Sequence, residues 1–197
     1  MNVPKNYLLL FLLIPFFGFS QNWSILNKDR VYYFQHSDST NITDEVQVLS
    51  HAGSLDTIFY TNTTYTLCDT CTVIPTESSD GNMYHFFQPG LFGYEILKTE
   101  TGGHFFDSER YIQEYSNLSD SWLFEPATGT NATIVLEDEM TILGEIDSIK
   151  MIELSTFDTI ILSKNHGIVR YPDFDSPGTY LQLVGYYGGG NSFGLTR

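Results

Sequence analysis

Short runs of Val, Ile, Thr, Tyr and Phe recur along most of this chain, each cut off by Asp, Asn, Ser or Gly before it can extend. Branched and aromatic side chains suit a pleated surface, and the punctuating residues suit tight turns. The pattern predicts antiparallel strands over 30–36, 45–50, 55–61, 83–87, 93–99, 121–124, 132–137, 148–154, 158–163, 168–171 and 179–184. Ala132, Ile134 and Leu136 fall on one face of their run, and Leu181 and Leu183 oppose Tyr180 and Gln182. Period-two alternation with one polar face means sheets packed on one side and wetted on the other. No window of twelve or more residues carries a helical apolar stripe; the best helical candidate is 109–115, with Ser108 as its N-cap. The expected fold is all-β: an antiparallel meander, either curved into a half-barrel or packed as a two-sheet sandwich. Alternation alone does not choose between these closures.

The first 20 residues have a different character. Lys5 precedes an apolar run of 13 residues from Tyr7 to Phe19, and Gly18 and Ser20 form a small-x-small site before Gln21. This is the layout of a secretory signal peptide, with an apolar stretch too short to span a bilayer comfortably. Residues 1–20 are read as the leader, 21–185 as one β-rich domain, and 186–197 as a glycine-rich tail, flexible or truncated. The 177 residues after the leader suffice to bury roughly 70% of the surface of the unfolded chain. They carry eight Lys and Arg against 24 Asp and Glu, a formal charge of −16. Such a surface repels phosphates, which disfavours nucleic acid and anionic membranes as partners. No second apolar stretch reaches the roughly 20 residues of a membrane-spanning helix.

Few residues carry a chemical signature. Cys68-Asp-Thr-Cys71 is the only cysteine pair. In an oxidising compartment a local disulfide across a turn is feasible and would stabilise by only about 2 kcal/mol. Thr72, Val73, Ile74 and Pro75 make a poor helix start after it, which argues against a thioredoxin-like redox pair. Lys164-Asn-His-Gly167 between two β-rich runs predicts a hairpin turn with His166 solvated at its tip. Glu137-Asp-Glu139 predicts a solvated turn, and Asp173-Phe-Asp-Ser-Pro-Gly178 a Pro-Gly turn, since a calcium loop would need Glu where Val184 stands. Gly190-Asn-Ser-Phe-Gly194 matches a nucleophile elbow in letters but has only three residues after it, too few for the triad partners. No catalytic, cofactor-binding or metal-binding residue is assigned, and the one pairing expected is Cys68 with Cys71.

The leader ending Phe19-Ser20, the entry Trp23-Ser-Ile-Leu-Asn27, the Cys68–Cys71 pair and Ser119-Asp-Ser-Trp-Leu-Phe124 together have a recognisable character. With Ile142-Leu-Gly-Glu-Ile-Asp-Ser-Ile-Lys150 and Ile161-Leu-Ser-Lys-Asn-His-Gly167, they resemble the N-terminal β-rich region of exported Bacteroidota proteins that end in a type IX secretion sorting domain. The resemblance implies export to the periplasm, engagement of the secretion machinery, and delivery to the cell surface or medium. The sorting domain itself is not present before Arg197, so the expectation is either a fragment or a periplasmic protein. The resemblance brings no activity and no functional residue. The leading expectation is a non-catalytic exported β module with a surface glycan or protein as ligand. The aromatic content, with Trp23 and Trp122, raises a glycan-binding module or carbohydrate-active enzyme as the alternative, and Cys68/Cys71 a thiol oxidoreductase as a minor one.

Overall fold

The computed structural model describes residues 23, 25–40, 42–54, 57–67, 84–85, 91–93, 95–99, 102–106 and 109–196. The leader, Cys68 and Cys71 lie outside the described residues. The described residues form no helix, and every strand pair is antiparallel.

The strands are β1 (Arg30–His36), β2 (Asp44–Ser54), β3 (Thr57–Leu67), β4 (Tyr84–His85), β5 (Glu95–Thr99), β6 (Gly103–Phe106) and β7 (Arg110–Gln113). They continue as β8 (Ser121–Glu125), β9 (Thr130–Ile142), β10 (Glu145–Leu154), β11 (Thr159–Ser163), β12 (Gly167–Pro172), β13 (Tyr180–Gly188) and β14 (Asn191–Gly194). The sheet order is β7-β6-β5-β3-β2-β1-β13-β12-β11-β10-β9-β8, with β4 attached to β3 and β14 to β13. From β1, one meander runs outward along the chain to β7 and a second returns from β8 to β13. The two free ends of this path are therefore consecutive in sequence.

Those ends approach one another without forming a ladder. Trp122 Nε1 on β8 donates to the Tyr111 carbonyl on β7 at 2.7 Å, and Arg110 Nε donates to Glu125 Oε1 at 2.9 Å. The connecting segment spends its backbone groups elsewhere: Glu114 N–H donates to Gly102 O, Ser119 N–H to Ile134 O, and Ile134 N–H to Asp120 O. The result is an open, curled sheet whose two edges shield each other through side chains, one means of keeping unpaired strand edges from other chains.

Aromatic residues fill the interior. Phe34, Phe92, Phe124 and Tyr171 are essentially inaccessible to solvent. Phe92 meets Phe34 at 5.7 Å and Tyr171 at 5.1 Å, both edge-to-face, the arrangement favoured by the ring quadrupoles. On β11, Ile160 and Leu162 point one way and Ile161 and Ser163 the other, and all four are buried, so the sheet is covered on both sides there.

Several expectations are corrected in detail. The 109–115 segment contains strand β7, whose residues pair with β6 from Gly103↔Gln113 to Phe106↔Arg110; a seven-residue helix lacks the length to sustain itself, whereas Tyr111 stacks on Phe105 at 4.4 Å. Glu137, Asp138 and Glu139 are solvated as expected but lie inside β9, not in a turn. They belong to the stretch 135–141 of β9, which is exposed on both faces, so no alternation is imposed on them. Leu136 leaves the face of Ala132 and Ile134: the register against β10 shifts between Met151 and Ile152, and Leu136 is exposed. The glycine-rich tail is built into the sheet. Its turn has Gly189 and Gly190 at φ 58° and 80°, and Gly185 lets β14 return so closely that a Cβ there would lie 1.9 Å from the Leu195 carbonyl oxygen.

Candidate functional site

A cavity of about 550 Å³ opens where the end of β1, the β12–β13 hairpin and the β6–β7 turn converge. Its lining includes Phe92, Phe106, Tyr171 and Phe174 as rings, and Asp38, Asp44, Glu109, Asp173 and Asp175 as carboxylates, against Arg110 and His36. Local turn chemistry sets the rim. Pro172 ends β12, Asp173 N–H donates to Thr179 O at 3.1 Å, and Asp173 Oδ1 accepts from Asp175 N–H at 3.0 Å. Gly178 takes φ 86°, as the Pro-Gly turn expected from sequence requires. Ser37 N–H donates to Tyr180 O at 2.8 Å, tying this hairpin to the end of β1.

His36 bridges the two sides. Its Nε2 lies 3.0 Å from Asp173 Oδ2 and its Nδ1 bonds Asp38. Burial lowers the imidazole's proton affinity, but hydrogen bonds to Asp38 and Asp173, and their charges, outweigh it and hold His36 above its ordinary value. The resulting stabilisation is fully present below the unfolded value of about 6.5 and fades as pH rises through the folded one. Because Asp38 is largely exposed, the contribution is modest, at most about 1 kcal/mol. His36→Gln should therefore narrow its stability deficit against the native chain as pH rises from 5 to 9 in urea titrations; a deficit that widens would refute the pairing.

Arg110 is committed. Besides Glu125, its guanidinium stacks on the Phe174 ring at 4.0 Å. Beside it, Tyr171 is 1% exposed, and its hydroxyl faces the Arg110 guanidinium, the one polar side chain that hydrogen-bonds it among the described residues. Burial pushes the phenol up to about 12, against the opposing charge of Arg110, so the group is neutral at any ordinary pH.

Two other clusters invite comparison. Near the β10–β11 end, Asp147, Ser163 and His166 bring together the residue types of a hydrolase triad, but the wiring differs. Ser163 Oγ donates directly to Asp147 Oδ2, which also accepts from Asn165 N–H at 2.8 Å, while neither His166 ring nitrogen has a hydrogen-bond partner. His166, expected at a solvated tip, is 1% exposed and lies against Tyr186. The hairpin is present, but Asp147 draws its turn inward and buries the ring. Burial lowers the proton affinity of His166, partly offset by Asp147 and Glu145. In the second cluster, fully buried Glu114 meets Lys98 Nζ at 3.0 Å and His104 Nε2 at 3.7 Å.

Of the motifs legible in the chain, Asp173 and Asp175 reach the cavity. Cys68 and Cys71 lie outside the described residues, Ser192 sits on β14 paired with Tyr187, and Trp23 and Trp122 are buried. No sequence motif singles out His36, Glu109, Arg110 or Tyr171. Among the described residues no group of three His, Cys, Asp or Glu side chains could hold a metal ion, and no helix is long and apolar enough to cross a membrane. No family model, curated protein or solved structure matches the chain.

Proposed function

We propose that this chain is a non-catalytic, exported β-rich binding module, cargo of type IX secretion shown at the cell surface or released, and that the cavity at the end of β1 is its ligand site. The cavity carries the binding part of this reading: its volume falls in the range of small-ligand sites, and it combines ring surface with convergent polar groups. The signal-peptide layout and the phrases resembling Bacteroidota cargo support the export part. A glycan platform draws less support, because Trp23 and Trp122, two of the rings that suggested it, are turned into the core.

A fragment screen followed by amide chemical shifts tests the binding reading. Ligands should move the Gly93, Asp173 and Asp175 signals, and Ser39→Trp, which puts bulk in the lining, should abolish the shifts without unfolding the sheet. Binding that maps elsewhere and survives Ser39→Trp would overturn it. Export is checked by sequencing the N-terminus of protein recovered outside the cytoplasm, where Gln21 should come first.

A further inference from the structure

We propose that the outer edge of β9, over residues 137–141, is a docking site for an extended basic segment of a partner protein, which adds to the sheet as a further antiparallel strand. The inference does not use the cavity, since none of these residues lines it.

The backbone is the first argument. β8 pairs only with the opening of β9, from Thr130 to Thr133, and the backbone of Ser119 and Asp120 carries the contact one residue further, to Ile134. The register against β10 then shifts between Met151 and Ile152, and one extra residue exchanges which backbone groups of β9 face β10. Leu143 and Gly144, both at positive φ, form the two-residue turn that pairs Ile142 with Glu145. Alternation back from that pair turns the groups of Met140 and Asp138 toward β10, and the N–H and C=O of Glu137, Glu139 and Thr141 outward. No described strand takes those outward groups. Residues 135–141 are all exposed, so both faces of the stretch are open as well. This is what strand addition requires: a row of unpaired backbone groups, with room for side chains above and below it.

Charge decides the occupant. Glu137 and Glu139 share one face of the strand, with Asp138 between them on the other. Among the described residues Asp138 and Glu139 form no ion pair, and Lys150, 3.9 Å from Glu137, donates to the Glu114 and Ser116 carbonyls. Two copies of this chain meeting edge to edge about Asp138 would set acid opposite acid, which is destabilising. A strand with Lys or Arg at two alternate positions sets a cation opposite each glutamate instead. The edge also carries a guard, since the Glu139 N–H donates to Asp138 Oδ1 at 2.8 Å. An incoming cation draws that carboxylate aside and uncovers the N–H, whereas a neutral or acidic strand has nothing to offer it. Exposed Leu136 and Met140 flank the acids, so the matching segment carries an apolar residue on either side of its basic pair.

The experiment titrates end-capped heptapeptides into the full mature chain and follows the Glu137, Glu139 and Thr141 amides. Thr-Val-Lys-Thr-Lys-Val-Thr should bind through these amides and slow their hydrogen exchange. It should bind about tenfold more tightly than Thr-Val-Gln-Thr-Gln-Val-Thr, and weaken as salt is added. The same lysine peptide, N-methylated at both lysine amides, keeps its charge but cannot donate to the edge, and should bind about tenfold more weakly. Glu137→Gln with Glu139→Gln, both exposed positions, should weaken the lysine peptide about tenfold, while Glu153→Gln, exposed on β10 beyond this stretch, should leave it unchanged. An N-methylated peptide that binds as tightly as its parent would show charge attraction without strand addition and overturn the proposal. Equal binding of the glutamine peptide would overturn the basic partner, and peptides that move none of these amides would overturn the docking site. Broadening of the same amides when the protein alone is concentrated would place a second copy on the edge, and would overturn it too.

Discussion

Lys98→Met is expected to lower the unfolding free energy by about 3 kcal/mol, and Lys98→Met combined with Glu114→Leu to recover most of that loss. Glu114 has no accessible surface, and Lys98 Nζ, 3.0 Å from Oε1, makes its direct ion pair to a full cation among the described residues. His104, 3.7 Å away, is a poor substitute: burial first, and the Lys98 charge second, lower it to about 3, and although the second influence goes with Lys98, the larger one stays. Lys150 reaches the same segment but donates to the Glu114 and Ser116 carbonyls at 2.9 and 2.6 Å. Removing Lys98 therefore leaves a buried charge without its partner, a defect worth about 3–5 kcal/mol. The partial exposure of Lys98 places the value at the lower end. Removing both charges discards the desolvation cost along with the attraction, which is why the double variant should be close to the native chain. Urea unfolding of the four chains at pH 7 forms the cycle. A single variant within about 1 kcal/mol of native, or a double variant no better than the single, would show that the pair does not hold β5 to the segment after β7.

The same contrast between local pattern and distant partners explains what can be read from the sequence. Composition predicts a strand over Arg30 to His36 with the bounds that β1 has, because seven residues rich in Val, Tyr and Phe lie between clear turn signals. The strands from β8 to β13 are legible in the same way, some a few residues short. By contrast, β6 and β7 have only four residues each, one beginning with Gly and the other with Arg, and owe their extended form to each other. The bulge near Val135 inserts one residue into an otherwise regular alternation, and nothing in the composition of that run announces it. The cavity is the least legible feature. His36 and Asp173 stand 137 positions apart, and only the β1–β13 pairing brings the end of one strand beside the turn before the other. Tyr171 looks like any aromatic strand residue; the meeting of its hydroxyl with Arg110 is a property of the packing around it. A usable signal does exist, since acids cluster after β1 and again after β12, at ends that a meander can bring together.

Asp147→Ala is expected to cost about 3 kcal/mol and to open the β11–β12 hairpin locally. This carboxylate, 4% exposed, accepts from Ser163 Oγ, from Asn165 N–H and Nδ2 at 2.8 Å each, and from Ser148 N–H at 2.9 Å. Ser163 Oγ in turn accepts the His166 N–H at 3.1 Å, so the whole turn hangs on one side chain. Truncation strands the buried Ser163 hydroxyl, whereas the exposed Asn165 amides can turn to water, and the expected loss is correspondingly less than four full hydrogen bonds. Asp147→Asn keeps one acceptor oxygen and should cost less. Stability alone would not distinguish an opened hairpin from a strained closed one, but the titration of His166 does. Burial is the larger influence on that imidazole and lowers it, while the negative charge of Asp147 raises it. If the turn opens, His166 regains solvent and moves up toward about 6.5; if the turn stays closed, loss of the carboxylate drives it lower still. The imidazole proton shifts of the Asp147→Ala chain, followed from pH 4 to 8, should show the upward movement. A downward one, together with a stability loss below about 1 kcal/mol, would mean that strand pairing and the packing of His166 on Tyr186 hold the turn without its anchor.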